Sequence, residues 1–423
     1  MNILFKGGTL VSPADGINGP ADIAVIDERP ALDIKGASFD EVIDCSGKYV
    51  TPGFVDIHVH MRDPGYEYKE DVYSAACAAA AGGVTTIVGM PNTKPAPDNK
   101  AVVRYVLEKG RSAAVNVLCA GSVSKGNANE ILSEMGEMAE AGACCVSDDA
   151  FPVQDAGFMR RIMEYAATFG LPVLVHSEDK SLTSDATANE GYVSSLLGLR
   201  PWPREAEEIM IFRNALLSML TGCRVHFQHV TTRGGADIIR DAKRRGAPIT
   251  AETCPQYLTL TDEALMGYDT NARVNPPLRT EEDRQALIRA VMDGTIDVIA
   301  TDHAPHAIEE KDTEFDNALS GMTGLETAVS LCLDELHHRH GMSISDIVDR
   351  YCAAPARVIG SSQGSFGGQQ LADLCVLDTE YEYVIDPSRM KSKSRNTPFG
   401  GRKVRGAVML TVAKGNIVYR REA

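Results

Sequence analysis

The sequence predicts an α/β fold: a (β/α)8 TIM-type barrel carrying a small β-sandwich-like domain formed by both termini. Three observations predict it. Between about residues 52 and 360, short apolar runs and stretches of helical periodicity alternate through eight successive units. Many of the helical stretches close on a glycine, as at Gly82, Gly110, Gly142, Gly170, Gly222, Gly246 and Gly294, where a left-handed cap is expected. Both ends of the chain have a different texture, with short β-like runs broken by Gly and Pro. A length of 423 residues suits one large barrel plus a smaller unit, and 44% apolar residues supply the core. The expected division is 1–51 plus 361–423 for the small β domain and 52–360 for the barrel.

Taken in order, the first end offers strands at 3–5, 22–26 and 42–45. The barrel strands should end at His60, Pro91, Gly121, Asp149, His176, His229, Thr253 and Asp302. Between them the periodicity predicts helices over 68–81, 100–109, 128–141, 159–169, 205–220, 236–245 and 282–292, with further helices over 326–340 and 345–357. The chain closes with strands at 372–377, 404–412 and 416–419.

Charge and composition exclude some functions. The net charge is -16 with no long basic run, which argues against nucleic acid and anionic membranes as partners. No uninterrupted apolar stretch of about 18 residues occurs, and the first residues lack the form of a signal peptide. Ten cysteines without Cys-x-x-Cys pairs read as reduced, buried thiols, so the expected compartment is the cytoplasm.

A barrel of this kind carries its active site at the C-terminal ends of its strands, and the chemistry-bearing residues fall there. His58 and His60 end strand one, spaced so that regular alternation would put both on one face. Asp148 and Asp149 end strand four, His176 strand five, His229 strand six and Asp302 strand eight. Histidines and carboxylates around an open position suit Zn²⁺ or a similar cation. The set exceeds one tetrahedral shell, so two divalent ions per chain are expected, zinc first among candidates, bridged by a carboxylate and a hydroxide. Asp302 is the candidate for moving protons, and the expected reaction is hydrolysis at a carbon–nitrogen or ester carbonyl. His226 has the wrong parity and reads as structural. His303 stays unassigned, and Asp148 is either a support for a ligand or solvated. Glu309, Glu310 and Asp312 read as a solvated loop face.

Five motifs make the reading specific. They are Asp56-Ile57-His58-Val59-His60-Met61-Arg62-Asp63-Pro64-Gly65, Met90-Pro91-Asn92-Thr93, Asn275-Pro276-Pro277-Leu278-Arg279, Ala300-Thr301-Asp302-His303-Ala304-Pro305-His306 followed by Lys311, and Asn396-Thr397-Pro398-Phe399. Over nearly its whole length the chain resembles the amidohydrolase superfamily and, within it, the bacterial monofunctional (class I) dihydroorotases. The resemblance implies that His58, His60 and Asp302 hold one metal and His176 and His229 the other, with Asp149 as the bridge. Related enzymes use a carboxylated lysine there, but no lysine occurs between Lys125 and Lys180. It further implies that Arg62, Asn92 and His306 hold a substrate carboxylate and that Asn275 contacts a pyrimidine ring. The activity implied is the reversible interconversion of dihydroorotate and N-carbamoyl-aspartate in pyrimidine synthesis, by a homo-oligomer, expected as a dimer. Allantoinase or a hydantoinase of the dihydropyrimidinase type is the alternative, and Arg62 discriminates, because a hydantoin lacks the carboxylate. An inactive homologue serving as a subunit of a larger assembly is a third reading, weakened by the complete ligand set. Two departures bear on substrate choice: Cys254-Pro255-Gln256-Tyr257 after strand seven, and Ala318-Leu319-Ser320-Gly321.

Overall fold

The computed structural model describes residues 1–367 and 371–422; of the expected 361–423 segment, residues 368–370 and 423 lie outside the described residues. Eight strands form one parallel sheet: Phe54–Val59 (β1), Val84–Gly89 (β2), Asn116–Ser122 (β3), Cys145–Ser147 (β4), Val173–Val175 (β5), Val225–Phe227 (β6), Ile249–Thr253 (β7) and Val298–Ile299 (β8). Each pairs with the next in sequence order. The ring closes between β8 and β1 partly through a side chain. His60 N donates to His303 O at 2.9 Å. The Thr301 hydroxyl and N–H donate to the Asp56 carboxylate at 2.5 and 3.3 Å. Burial pushes the Asp56 carboxyl up to about 6 against the pull of these bonds.

Val55, Ile57, Val88, Met90, Cys145, Leu174 and Val298 form one buried cluster, together with Ala354, Val358 and Ile359 of the helix Ala353–Ile359. The barrel is thus a packed core, and its polar chemistry is displaced to the strand ends. The helices Val72–Ala81, Lys100–Gly110, Ala156–Thr168, Glu205–Thr221, Arg233–Arg244 and Glu281–Met292 lie close to their expected positions. The first starts later than expected because Asp71 caps it, its carboxylate accepting from Tyr73 N and Ser74 N.

Other expectations are met only in part. The helix expected over 128–141 is only Met135–Ala141. Asn127 and Asn129 take positive φ and their amides donate to Pro91 O and Phe151 O, so side chain–backbone bonds win over the helix. The stretch 326–340 becomes Ala328–Cys332 followed by a π-helical turn, Leu333–Arg339. The helix over 345–357 breaks at Cys352 into Ile344–Tyr351 and Ala353–Ile359. Gly82 does not take the left-handed cap, having φ −90°. It is needed instead for close approach, since a Cβ there would lie 2.0 Å from Leu325 O.

Both termini build the second unit. A six-stranded sheet runs Ile17–Pro20, Thr9–Ser12, Tyr49–Pro52, Leu374–Val384, Lys403–Ala413, Asn416–Arg420. A four-stranded sheet runs Arg29–Ala31, Ile23–Ile26, Ile3–Lys6, Glu41–Asp44. Ile3, Phe5, Leu10, Val50, Leu374 and Leu410 belong to the core they share. Antiparallel pairing of Tyr49–Pro52 with Leu374–Val384 joins the two ends of the chain. No helix among the described residues is long and apolar enough to cross a membrane.

Gly82→Ala should destabilise the fold by about 1–3 kcal/mol, because the added methyl meets a backbone carbonyl that cannot rotate away. Thermal unfolding of the metal-free chain measures this, and a melting temperature equal to wild type would show that the Leu325 segment yields.

Candidate active site

The expected ligands sit where the barrel ladder stops. His58 is inside β1 and His60 follows it directly; His176 follows β5 directly. Asp149, His229 and Asp302 lie a little beyond the ends of β4, β6 and β8. All six are buried. The register of β1 against β2 slips between Asp56 and Val59, so His58 and His60 converge across an irregular strand end rather than by regular alternation. Arg62, His229 and Asp302 take φ of 62°, 34° and 49°, a region that costs a non-glycine residue about 1–3 kcal/mol.

Two groups of donor atoms form here and share His58, and His176 belongs to neither. Donor atoms of His58, His60 and Asp302 lie within 4.8 Å of one another, as do those of His58, Asp149 and His229. Asp302 Oδ1 is 3.1 Å from His60 Nε2 and 3.4 Å from His58 Nε2. Asp149 Oδ2 stands 3.5 Å from His60 Nε2 and 3.7 Å from His58 Nε2. Its other oxygen stands 3.3 Å from His176 Nδ1 and 3.6 Å from His229 Nε2. One carboxylate thus turns one oxygen to His58 and His60 and the other to His176 and His229.

The residues fit a divalent cation. His58 Nε2 and Asp149 Oδ2 are buried and have no hydrogen-bond partner, a costly state that a cation between them would relieve. The mixed nitrogen and oxygen donor set suits zinc or a similar ion. Burial opposes charge on His58, yet Glu252, Asp302 and Asp149 hold its pKa well above the usual value. Burial likewise opposes charge on His176, but Asp149 and Glu178 raise it to about 9. Burial would raise Asp149, but His58, His176 and His229 hold it well below the carboxylate range.

Several supporting groups escaped the sequence reading. The His58 Nδ1–H donates to Glu252 Oε1 at 2.5 Å. Glu252 also accepts from His226 Nε2 at 3.0 Å and from His229 N at 3.3 Å. His176 Nε2 lies 3.0 Å from Glu178 Oε2. The available signal was a lone carboxylate in the strand run Ala251-Glu252-Thr253. Asp148 proves buried, accepting from His176 N and Val153 N at 2.9 Å each, so it supports a ligand and is not solvated. His226 is structural, as expected, held between Glu252 and Thr250. His303 is also structural, with Glu70 on one nitrogen and the Gly324 N–H on the other.

A second region of the site centres on a buried cation, Arg62. Arg62 is buried and forms no ion pair among the described residues; burial lowers its pKa. Its Nε donates to Pro305 O, and its Nη2 lies 3.5 Å from His306 Nε2. His306 Nε2 donates to Ser320 O at 2.9 Å. Burial and the cations Arg62, Lys69 and Lys311 depress its pKa to about 3, keeping it neutral. Asn92 Oδ1 accepts from His60 Nδ1 at 2.9 Å, so this amide orients a ligand. Asn275 Oδ1 is buried without a partner. The two atypical segments position these groups: Tyr257 donates to Pro276 O, and Lys311 Nζ donates to Leu319 O and Gly321 O. Glu310 corrects an expectation. It is half-buried, pairs with Lys69 at 2.7 Å and accepts from Ala307 N, and so anchors this loop.

The chain is similar to known proteins over its whole length. A family model described as dihydro-orotase-like matches residues 47–235. A dihydroorotase of Geobacter metallireducens is 46% identical over 427 residues, covering 100% of both chains. A dihydroorotase of Pelotomaculum thermopropionicum is 46% identical over 423 residues, covering 99% of this chain and 98% of its own. Among solved structures, an L-hydantoinase (dihydropyrimidinase) from Arthrobacter aurescens superposes with TM-score 0.87 at 28% identity, covering 100% of this chain and 96% of its own.

Glu252→Gln should leave the fold intact and lower the affinity for divalent metal by about 10- to 100-fold, because a weaker acceptor orients His58 less firmly. Titration of the metal-free chain with Zn²⁺, followed calorimetrically, measures it; unchanged affinity would remove Glu252 from the support of the site.

Proposed function

The chain belongs to the dihydroorotase family, and from that premise we propose that it opens and closes the dihydroorotate ring, interconverting dihydroorotate and N-carbamoyl-aspartate in pyrimidine synthesis. Its relatives are metal-dependent cyclic amide hydrolases, and the buried histidine–aspartate cluster is of the kind that holds such metal. The observation that carries the substrate assignment is Arg62, a buried guanidinium with no acidic partner among the described residues. A substrate carboxylate supplies the missing charge and suits the bidentate fork.

In this reading His58, His60 and Asp302 would hold one divalent ion, zinc in the first instance, and His176 and His229 a second, with Asp149 offering one carboxylate oxygen to each pair of histidines. When bound, such ions make hydroxide available at neutral pH and polarise the amide carbonyl. The chain does the rest. Arg62 binds the exocyclic carboxylate, with Asn92 and neutral His306 beside it. Asn275 Oδ1 accepts from a ring N–H, the donor it lacks in the free chain. Asp302 takes the proton released on attack and delivers it to the ring nitrogen as the C–N bond breaks. Microscopic reversibility gives it the opposite duty in cyclisation. The chemistry lies with residues 52–360, and all ten cysteines are free, which supports the cytoplasm as the working compartment. A hydantoinase reading rests on the structural neighbours, but it leaves Arg62 buried without a purpose.

Fully active protein should contain about two ions per chain, since the donors exceed one tetrahedral shell, and Asp149→Ala should retain at most one while keeping the fold. Elemental analysis decides; a single ion in fully active wild type, with no gain on metal addition, rejects the two-ion arrangement.

Arg62→Met should lower kcat/KM for dihydroorotate by on the order of a hundredfold or more, the effect of leaving a desolvated carboxylate unpaired at ~3–5 kcal/mol. Metal content should not change. Wild type and variant are assayed on dihydroorotate, allantoin and dihydrouracil. Near-equal values on dihydroorotate at equal metal loading would sink the carboxylate assignment, and preferred turnover of a neutral ring by wild type would favour a hydantoinase.

A further inference from the structure

Lys311 carries a charge that the fold does not need. It closes the short helix Ile308–Lys311 and is buried, yet no carboxylate pairs with it among the described residues. A buried ammonium of this kind is costly, and a methionine would fill the same space without that cost. Its Nζ donates instead to three carbonyls, Leu319 O at 2.8 Å, Gly321 O at 3.0 Å and Arg273 O at 3.4 Å. Two of these have other donors: Gly321 O accepts from Asn396 Nδ2, and Arg273 O from Gly321 N. The backbone there is largely satisfied without the lysine, so stability alone gives no reason for the charge.

Its place in the site gives one. Leu319 and Gly321 flank Ser320, whose carbonyl accepts from His306 Nε2 at 2.9 Å. Arg273 stands two residues before Asn275, whose Oδ1 is buried without a partner. Thr270 Oγ1 donates to Lys311 O at 2.6 Å and ties the same two segments a second time. Of the cations that keep His306 neutral, Lys69 is paired with Glu310, whereas Arg62 and Lys311 have no acidic partner. We propose that Lys311 is the positioning residue that sets selectivity for an anionic ring: its ammonium gathers the carbonyls of 273, 319 and 321 at one point, fixes His306 and Asn275 for the substrate, and adds its charge to that of Arg62. The inference rests on the dihydroorotate reading above. Three acceptors call for three N–H donors, which only the ammonium has. Burial and Arg273 pull the Lys311 pKa down to about 7, opposed by Asp269 and Glu310. A bound carboxylate adds to that opposition and favours the charged, three-donor form.

The test is steady-state kinetics of the full-length, metal-loaded chain on dihydroorotate, with melting temperature and metal content measured alongside. Lys311→Met should raise KM by about tenfold and change kcat by less than about threefold, since it loosens the pocket and leaves the metal ligands alone. Lys311→Arg, which keeps the charge and the donors, should return KM to within about threefold of wild type. Lys243→Met is the control: Lys243 holds Thr295 O at 2.8 Å and Asp297 at 2.6 Å where β8 begins, and its loss should leave KM at the wild-type value. A joint fall in kcat, metal content and melting temperature with KM unmoved makes Lys311 merely structural and overturns the inference. An equal KM shift in Lys243→Met, or a Lys311→Arg chain no better than Lys311→Met, overturns it as well. Should Lys311→Met not fold, Lys311→Gln carries the same expectation, and loss of the fold in both overturns the inference. Wild type that does not turn over dihydroorotate fails the reading itself and takes this inference with it. Wild type that does, beside a Lys311→Met chain of equal KM, fails the inference alone.

Discussion

Buried negative charge at the strand tips is the constraint on which the rest of the site depends. Asp149, Asp302, Glu178 and Glu252 converge on His58, His60, His176 and His229, all withdrawn from water. A carboxylate in such a place is tolerable only when paired. Protons drawn onto His58 and His176 supply part of the compensation. They leave His58 Nε2 and Asp149 Oδ2 facing each other without a partner. A divalent cation satisfies both atoms and balances the cluster. Left-handed backbone at His229 and Asp302 adds strain of about 1–3 kcal/mol at each.

Short strands make that arrangement possible and also precarious. β4, β5, β6 and β8 are only two or three residues long, so most ligands lie beyond the last ladder bond. Regular sheet hydrogen bonding cannot fix them there. Buried carboxylates take over the task. Asp148 receives the N–H of His176, Glu252 that of His229, and Asp56 those of His58 and Thr301. Each acid thereby converts an irregular backbone into a defined one. Asp56 is the clearest case, because the same carboxylate closes the barrel seam and holds the first ligand strand.

This division of labour decides what the sequence could reveal. Histidines and aspartates at the ends of apolar runs are visible, because a strand tip in a barrel is a position that a linear pattern locates. His58, His60, His176, His229 and Asp302 are legible for that reason, and the choice of Asp149 over Asp148 through the family resemblance alone. Glu252 was not, since a carboxylate within a strand run reads equally as an exposed face, and only the closed ring turns it inward. Glu310 failed in the opposite sense: its charged neighbours suggested solvent, while Lys69 folds over it. The helix expected over 128–141 shows a further limit. Periodicity registered the apolar spacing, but not the competition from Asn127 and Asn129, whose amides bind backbone carbonyls at Pro91 and Phe151.

The boundary between the two units is also less sharp in energy than in sequence. Leu374–Val384 and Lys403–Ala413 belong to the terminal sandwich, yet the chain between them crosses to the substrate side of the barrel. There Asn396 accepts the N–H of His306 at 3.0 Å and donates to Ala304 O and Gly321 O at 3.1 and 3.0 Å. Ser392 donates to Glu70, which in turn lies 3.4 Å from His303 Nε2. A barrel without this excursion would take from the buried His306 N–H its acceptor, at about 1–3 kcal/mol. The loop that sets His306 beside Arg62 would be the first to loosen. The sandwich is therefore part of how the loop beside Arg62 is held, which gives Asn396, far along the chain, a structural tie to the histidine–aspartate cluster near its beginning.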